Sequence, residues 1–311
     1  MALVDRADEA QKPEPTLPWL NEPLCSAVEQ LVADYRGERW RIRTVKDLKD
    51  LASHPCAILA DGAYAVFVKL SSAANGLDQF DVEVAGLRLL SARAGVLTPP
   101  SIGLLTVDDS VFMVLEAVEA VDRGPQQWRD IGRTLARIHQ IKGPYCGLET
   151  QGYFGALYQD NRPLADWPTF FAERRLWPRF MSAIDSGHLS TTFMRQVEKL
   201  IARLPDLCGP AIVPTLLHGD AQQNNFISTD QGAVVIDPAV HYGHPEIDLA
   251  HLDYFHAVPA DVFAGYQEVL PIDAGFWERR ALWCIPTDLA IVGIGEPGYL
   301  GKLAAAVQKY G

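Results

Sequence analysis

The sequence predicts an α+β protein of two lobes, in which a strand-rich N-terminal lobe precedes a larger helical lobe. Three observations support this fold class. The chain has 311 residues, which is enough for about two domains and a sizeable core. Runs of β-branched and aromatic residues concentrate before residue 118. Apolar residues with helical spacing dominate after that point.

The N-terminal part divides into a tail and a lobe. Residues 1–22 are rich in proline and charge, which is typical of a loose tail. Within the predicted N-lobe, residues 23–118, four runs have the composition of strands: WRIRTV, CAILA, AYAVFVKL and VFMVLEAV. The segment QFDVEVAGLRLLSARAG has helical spacing instead, and it places Phe80, Glu83 and Leu87 on one face.

Helical patterns dominate the predicted C-lobe, residues 119–311. An apolar stripe predicts a first helix, and its members are Trp128, Ile131, Leu135 and Ile138. Residues 167–204 and 246–309 are also predicted to be helical. The exception is the segment TLLHGDAQQNNFISTDQGAVVIDPAV, residues 215–240, which predicts a loop followed by a short β-hairpin.

Charge and composition argue against several classes of partner and location. A formal charge of −12 disfavours nucleic acid as a partner, because phosphate binding relies on lysine and arginine. No apolar run reaches the length of about 18 residues that a membrane span needs. The N-terminus lacks a signal-peptide pattern, so we expect a cytoplasmic protein. Five scattered cysteines without CxxC spacing predict reduced thiols rather than a zinc site.

The strongest chemical signal is His218-Gly-Asp220 followed by Asn225, with Asp237 after the next apolar runs. If the runs FIS and AVVI pair as an antiparallel hairpin, Asn225 and Asp237 lie side by side. An amide oxygen beside a carboxylate suits Mg²⁺, and Asp220 would then reach a substrate hydroxyl next to the metal. Asp237 also ends a buried strand, where an idle carboxylate is costly. The alternative is an ordinary hairpin with two turn-forming polar residues.

A second pair of charged residues occupies apolar surfaces of the N-lobe. Lys69 belongs to the strand AYAVFVKL, which is apolar on both faces, and Glu83 shares the apolar face of its helix with Phe80. Each buried charge needs a partner, so the two residues are predicted to pair and to hold the lysine ready for phosphate. In the alternative interpretation, Lys69 extends to solvent at a strand end and Glu83 only decorates the first turn of the helix.

A third cluster, taken alone, resembles the ligand set of a metal hydrolase. His244, Asp248 and His251 share helical spacing, and His241 precedes them. This run begins in a loop with proline and glycine, where histidines more often bond to backbone groups or cap helices. We therefore expect these histidines to be structural. The sequence contains neither a GxxxxGK[ST] phosphate loop nor a GxSxG nucleophile motif.

The motif HGD-x4-N followed by IDP resembles the catalytic segment of the aminoglycoside phosphotransferase and protein-kinase-like superfamily. From about residue 40 to the C-terminus the chain resembles, more specifically, the fructosamine kinase family. The segments that carry the resemblance are FVKL, FDVEVAGLRLL, VLTPP, VLEAVE, GRTLARIHQI, GLETQGYFG, DWPTFFAERRL, LLHGD and DPAVHYGHPEIDLA. This resemblance implies a protein-kinase-like bilobal fold that uses ATP and Mg²⁺ to phosphorylate a hydroxyl of a small molecule.

The resemblance also implies roles for individual residues. Asp220 would be the catalytic aspartate that orients or deprotonates the acceptor hydroxyl, and Asn225 and Asp237 would hold Mg²⁺ against the ATP phosphates. Lys69, steadied by Glu83, would bind α- and β-phosphate oxygens. Two further assignments complete the set: backbone groups of Leu115 and Ala117 would bind adenine, and Asp248 would anchor the catalytic loop through backbone N–H groups.

Two segments depart from the family pattern. Residues 46–55 replace a loop that usually covers the nucleotide phosphates, and they contain no glycine. The catalytic loop has Ala221-Gln-Gln-Asn224 where relatives commonly carry Leu-Trp and glycines. The amide side chains would open the acceptor site and add hydrogen-bonding groups beside Asp220.

Acceptor chemistry is the least determined prediction. The acidic balance suits a cationic small molecule, because a negative site raises the local concentration of cations. Fructosamine-like ketosamines, which are sugars attached to amines, are the leading class. An aminoglycoside-type antibiotic phosphotransferase is the alternative, and a catalytically silent nucleotide-binding scaffold is a third hypothesis.

Overall fold

The computed structural model of the protein describes residues 17–48 and 54–311. Most of the predicted tail, residues 1–22, lies outside the described residues, as do positions 49–53 of the glycine-free segment. The described chain forms two compact units. One contains residues up to Phe80 together with Pro100–Ala117, and the other contains Asp81–Pro99 and Val118–Gly311. The predicted division into an N-lobe, residues 23–118, and a C-lobe, residues 119–311, with separate functions stays a prediction.

Five strands and α1 make up most of the first unit. In chain order its elements are α1 (Glu22–Arg36), β1 (Thr44–Asp47), β2 (Cys56–Ala60), β3 (Ala65–Ser71), the start of α2 (Gly76–Ala94), β4 (Ser101–Val107) and β5 (Ser110–Glu116). The strands form one antiparallel sheet in the order β1-β2-β3-β5-β4. The predicted strand run CAILA coincides with β2, and the runs AYAVFVKL and VFMVLEAV cover β3 and β5 except for Ser71 and Ser110.

The sequence analysis did not assign α1, although its start and stop signals are local. The side chain of Asn21 accepts the N–H of Leu24 at 3.0 Å, and Gly37 ends the helix with φ of 71°. Leu24, Val28 and Val32 recur every four residues and are fully buried in the core of the first unit. Burial of this stripe stabilises the helix more than its intrinsic propensity does.

The predicted strand WRIRTV is a strand only from Thr44 onward. Trp40 lies in the core of the first unit, and its indole Nε1–H donates to the carbonyl of Tyr64 at 3.1 Å. A buried indole needs such a partner, and this contact takes precedence over ladder pairing at the start of the run.

The second unit is mainly helical. After the rest of α2 it contains α3 (Pro125–His139), β6 (Gly152–Phe154), β7 (Leu157–Gln159), α4 (Trp167–Phe170), a π-helical segment (Phe171–Leu176), α5 (Trp177–Asp185), α6 (Met194–Leu207), β8 (Thr215–Leu217), β9 (Phe226–Thr229), β10 (Gly232–Val235), β11 (His241–Gly243), α7 (Glu246–His251), α8 (Ala260–Gln267), α9 (Phe276–Gly293) and α10 (Leu300–Tyr310). Its strands form the antiparallel pairs β6–β7, β8–β11 and β9–β10. The α+β class and the hairpin predicted within residues 215–240 are confirmed. In the described part of the chain, no helix combines the length and apolarity that crossing a membrane requires.

Helices α3 and α8 approach each other closely through two glycines. A Cβ atom on Gly132 would lie 1.9 Å from the carbonyl oxygen of Val262, and one on Gly265 would lie 2.2 Å from that of Arg129. Both obstacles are backbone atoms, which cannot rotate away. The same contact keeps Ile131 and Leu135 of α3 fully buried. A side chain at either glycine would therefore push the helices apart.

We expect Gly132→Ala to lower the free energy of unfolding by about 3 kcal/mol, because it overpacks a backbone contact. Urea unfolding followed by circular dichroism measures this change. The matched control is Gly301→Ala, a helical glycine in α10 with open space around it, which should gain roughly 0.5–1 kcal/mol. Equal stability of Gly132→Ala and the unmodified protein would contradict the close helix contact.

Candidate active site

The HGD segment follows the buried strand β8, which pairs with β11. Gly219 has φ of +83°, and a Cβ atom there would lie 2.0 Å from the carbonyl oxygen of Ala239. Only glycine fits this position, both in backbone angle and in space. The turn at Gly219 directs the chain away from β8 and leaves Asp220 partly exposed at its end.

Asp248 of α7 holds this turn in place. Its carboxylate accepts the N–H of His218 at 2.7 Å and the N–H of Gly219 at 3.0 Å. His139 Nε2 lies 3.1 Å from the same carboxylate, and its Nδ1 lies 2.8 Å from the hydroxyl of Tyr266. Burial acts to raise the pKa of Asp248, but the hydrogen bond and charge of His139 outweigh it and hold that pKa below its usual range. The anchoring role predicted for Asp248 is confirmed.

Asn225 lies against Asp220 at the start of the β9–β10 hairpin. Its side-chain N–H group donates to the backbone carbonyl of Asp220 at 2.8 Å and to the carboxylate Oδ2 at 3.1 Å. The amide nitrogen is thereby used within the loop, and the amide oxygen is the atom suited to a cation. One oxygen of Asp220 is held by this contact, which orients the carboxylate.

The hairpin also brings the chain back beside Asn225. Phe226 pairs with Val235, and the N–H of Ile236 donates to the carbonyl of Asn225 at 3.0 Å. The next residue, Asp237, has φ of +50°. A residue other than glycine pays a conformational cost there, and such strain concentrates at functional sites. The structure thus places the backbones of the two predicted metal ligands in adjacent positions.

Asp220 has the electrostatics of a general base. Burial and, second, the negative charge of Asp237 raise the pKa of the Asp220 carboxyl to about 7. A base with a pKa near the working pH exchanges protons efficiently with a substrate hydroxyl. Such a shift is typical of catalytic carboxylates and unusual for idle ones.

Arg123, which the sequence analysis did not single out, forms hydrogen bonds with the loop that follows Asp220. The Arg123 guanidinium donates to the backbone carbonyls of Gln223 and Phe226, at 3.0 Å and 2.5 Å, and lies 4.8 Å above the ring of Trp128. These contacts fix Gln223 within the amide-rich segment that departs from the family. An arginine beside a glycine and a proline looks like an ordinary turn residue, so no local signal marks it.

The histidines of the suggested hydrolase cluster are held by structural partners. His241 Nδ1 lies 3.0 Å from the carbonyl of Ala239, and His251 Nε2 lies 2.8 Å from the hydroxyl of Thr287. Burial lowers the pKa of His241 to about 3 and that of His251 to about 4, so both rings are neutral. Across the described ranges, no group of three or more histidine, cysteine, aspartate or glutamate residues is arranged to hold a metal ion.

The predicted nucleotide residues lie mostly in the first unit. Lys69 is a buried residue of β3 opposite Met113 of β5, with its Nζ 5.9 Å from the centre of the Phe80 ring. Leu115 lies on β5 opposite Phe67. Glu83 is a partly buried residue of α2 that belongs to the second unit. The pairing of Lys69 with Glu83 stays a prediction.

The predicted adenine contact at Ala117 involves a backbone group that is already in use. The N–H of Ala117 donates to the carbonyl of Ala65 at 3.0 Å, which extends the ladder between β3 and β5 by one residue. The carbonyl of Ala117 is therefore the group that suits a nucleotide. The neighbouring Glu116 accepts hydrogen bonds from the hydroxyls of Tyr35 and Tyr64 at 3.1 Å and 2.9 Å, a contact the sequence analysis missed.

Comparison with solved structures identifies the class of the fold. An aminoglycoside phosphotransferase aligns with a TM-score of 0.56 over 90% of this chain and 98% of its own, at 14% identity. That likeness concerns the fold alone. The β-rich first unit and the helical second unit thus have a protein-kinase-like fold.

The family follows from the sequence. The family model for fructosamine kinase matches residues 24–310, and the chain belongs to the fructosamine kinase family. A Synechocystis protein assigned as a ketoamine kinase is 28% identical over 272 residues, which is 86% of this chain and 88% of that protein. A Thermobifida fusca structure assigned as a fructosamine-3-kinase is 31% identical, with a TM-score of 0.78 over 91% of this chain and 98% of that one. The predicted family, fold and enzyme class are confirmed, and membership of a kinase family implies the use of ATP.

Proposed function

We propose that the protein is an ATP- and Mg²⁺-dependent kinase that phosphorylates a hydroxyl of a ketosamine or related amino-sugar. The observation that carries this proposal is the catalytic loop, in which Asp248 anchors the turn, Asn225 orients Asp220 and burial tunes the Asp220 pKa. Relatives of this chain are assigned as ketoamine kinases and fructosamine-3-kinases, which supports the substrate class. We also propose that the protein is located in the cytoplasm.

In this mechanism Asp220 acts on the acceptor. Its carboxylate accepts the proton of the substrate hydroxyl while that oxygen attacks the γ-phosphorus and ADP leaves. The hydrogen bond from Asn225 fixes the orientation of the base. A pKa near 7 lets Asp220 hold the proton briefly and then release it to solvent.

The residues present fit a bound Mg²⁺. An amide oxygen of Asn225 and a carboxylate of Asp237 are hard oxygen donors on adjacent backbone positions. Mg²⁺ is commonly held by one or two carboxylates together with substrate phosphates and waters, so two protein ligands suffice. When bound, the ion would neutralise charge on the ATP phosphates. The left-handed backbone of Asp237 is the strained feature that such a role would explain.

Lys69, Leu115 and Ala117 of the first unit and Glu83 of α2 are proposed to bind the nucleotide. Lys69 would contact phosphate oxygens, with Glu83 steadying its ammonium group. The backbone carbonyl of Ala117 and the backbone of Leu115 would recognise adenine. A buried lysine on a central strand supports this assignment, because an ammonium removed from water interacts strongly with phosphate.

We expect Lys69→Met to lower kcat/KM for ATP by at least about 100-fold, since the substitution removes a charge that stabilises the phosphates. Methionine has a similar length and suits a buried site, so the thermal unfolding midpoint should change little. Glu83→Gln should show a milder version of the same loss. The matched control is Lys199→Met, an exposed lysine of α6. Unchanged ATP kinetics in Lys69→Met would refute the assignment.

Two alternatives remain distinguishable by experiment. An antibiotic phosphotransferase is supported by shared fold alone, whereas the family model favours ketosamines. A silent scaffold is disfavoured by the complete Asp220, Asn225 and Asp237 set. Residues 46–55 are the segment that we expect to cover the nucleotide phosphates. Positions 49–53 of this segment lie outside the described part of the chain.

A coupled ADP-release screen tests the proposal. The panel contains glycated amines, free neutral sugars and aminoglycosides, each with ATP and Mg²⁺. We expect turnover with at least one ketosamine, dependent on the divalent cation. Turnover with aminoglycosides only would favour the antibiotic-kinase alternative, and turnover with neutral sugars only would overturn the substrate class. Binding of ATP without any turnover would support the scaffold.

A further inference from the structure

Three arginines lie close together in the segment around the π-helix. Two of them have hydrogen-bond or ion-pair partners in the protein, although the buried Nε–H of each finds no hydrogen-bond acceptor within the described residues. Arg175 donates to the carbonyl of Asp160 and to Asn161 Oδ1, each at 2.7 Å, and to the carbonyl of Arg174 at 3.1 Å. In an α-helix the carbonyl of Arg174 would accept a hydrogen bond from the N–H of residue 178. Pro178 has no N–H, so the guanidinium of Arg175 takes that place. Arg174 forms ion pairs with Glu173 at 3.1 Å and with Asp160 at 3.5 Å.

Arg179 differs from both neighbours. It lies on α5, is partly buried, and its guanidinium carbon is 4.5 Å from the centre of the Phe154 ring. Among the residues that the structure describes, none accepts a hydrogen bond from Arg179 or forms an ion pair with it. A guanidinium carries five N–H donors, and within the described residues no Arg179 nitrogen is a buried atom without a partner, so these donors are accessible to a ligand. An unmatched cation held on an aromatic ring suits an anion from solution.

Arg179 lies close to the catalytic loop. The Phe154 ring contacts the Arg179 guanidinium. The centre of this ring is 6.3 Å from the centre of the His251 ring, and His251 follows Asp248 on α7. Asp248 in turn binds the turn that leads to Asp220. Burial lowers the pKa of the Arg179 guanidinium to about 10, while the charge of Asp220 opposes that shift. The side chain therefore remains charged at neutral pH, in the electric field of the proposed base.

His251 adds a second unsatisfied polar atom beside the same ring. Its Nε2 atom bonds to Thr287, but within the described residues its buried Nδ1 has no hydrogen-bond partner. Thr287 and the Phe154 ring hold the imidazole in place. The surroundings of Phe154 thus combine an aromatic face, a free guanidinium and a neutral imidazole. This combination matches an organic acid better than a simple polyamine.

We propose that Arg179 binds a carboxylate of the acceptor, and that the substrate class is therefore the ketosamine of an α-amino acid. This inference rests on the proposed function, which supplies the ketosamine. Such an acceptor is a zwitterion, with a secondary ammonium suited to the acidic protein and a carboxylate suited to the guanidinium fork. Arg179 is then a specificity-determining residue rather than a catalytic one.

The test compares two acceptors that differ only in this charge, the ketosamines formed from glucose with glycine and with glycinamide. We expect the unmodified enzyme to prefer the carboxylate form in kcat/KM by about 10- to 100-fold, the range for one charge-assisted pair. Arg179→Gln should reduce kcat/KM for the carboxylate form by a similar factor, mainly through KM. Its effect on the amide form should stay within about threefold, so the preference collapses.

Two further variants separate specificity from folding and net charge. Arg179→Lys keeps the charge but loses the fork, and it should restore part of the preference. Arg174→Gln removes the same charge from the neighbouring ion-paired residue and should keep the preference. Should Arg179→Gln fail to fold, the preference of the unmodified enzyme and of Arg179→Lys still decides the proposal.

Three results would overturn the inference. Equal kcat/KM of the unmodified enzyme for the two acceptors would show that no carboxylate is recognised. Equal losses on both acceptors in Arg179→Gln would show that the residue acts on the phosphoryl group or on the fold. A preference that also collapses in Arg174→Gln would show a general charge effect. If neither ketosamine supports ADP release, the proposed function fails instead, and the two failures are distinct.

Discussion

Replacing Asp220 by asparagine is expected to lower kcat by about 10²- to 10⁴-fold, because the variant loses the base that accepts the hydroxyl proton. Asparagine keeps an oxygen that can accept the hydrogen bond from Asn225, so the loop should keep its shape. The measurement is ADP release at saturating ATP and ketosamine. The matched control is Asp230→Asn in the exposed β9–β10 turn, which should retain full activity. Near-normal turnover in Asp220→Asn would remove the basis of the kinase mechanism.

The raised pKa of Asp220 adds two pH-dependent expectations. The kcat/KM of the unmodified enzyme should increase as pH rises through about 7, because only the ionised carboxyl accepts a proton. Stability should follow the opposite trend. The folded pKa exceeds the unfolded value of about 3.9, so the folded state binds more protons between these values and loses stability as pH rises across them. At pH 8, Asp220→Asn should therefore unfold at the same or a higher temperature than the unmodified protein.

Replacing Asp248 by alanine is expected to damage both stability and activity. The substitution leaves the buried N–H groups of His218 and Gly219 without their acceptor and removes the partner of His139. A loss of about 3–5 kcal/mol in the free energy of unfolding is typical for removing one member of a buried charged network. Activity should also fall by at least about tenfold, because Asp220 follows directly after the released turn.

Urea unfolding and ADP release measure the two effects of Asp248→Ala separately. The control is Asp206→Ala, an exposed aspartate of α6. The folded pKa of Asp248 is depressed, so its contribution is present above the unfolded value of about 3.9 and is lost as pH falls through the folded pKa. The stability difference between the two proteins should therefore shrink only in acid. An unchanged free energy of unfolding at pH 7 would contradict the anchoring role.

Local spacing was sufficient for several features of the site. The HGD-x4-N motif and the two apolar runs around a turn predicted the β9–β10 hairpin, and Asn225 and Ile236 are hydrogen-bonded as that pairing requires. The apolar stripe on α3 also predicted Ile131 and Leu135 as buried residues. The periodicity of apolar residues and the residue preferences of turns involve only a few neighbouring positions. Both can therefore be recognised directly in the sequence.

Contacts between distant segments were not predictable in the same way. Arg174, Arg175 and Arg179 lie in one short segment, yet of these three only Arg179 has neither a hydrogen-bond acceptor nor an ion pair among the described residues. The difference arises because Asp160 and Asn161, from the β6–β7 region, occupy the other two guanidinium groups. Side-chain satisfaction depends on which atoms the fold brings near, and this information is absent from local periodicity.

The sequence by itself determined the family, the α+β class, and the HGD-x4-N motif with the hairpin that follows it. Tertiary structure alone decided which polar groups are already paired. It committed the N–H of Ala117 to Ala65, it enclosed Asp248 with His139 beneath the catalytic turn, and it raised the pKa of Asp220 through burial. Motifs report residues that are close along the chain, whereas hydrogen bonding, desolvation and charge depend on residues that only folding brings together.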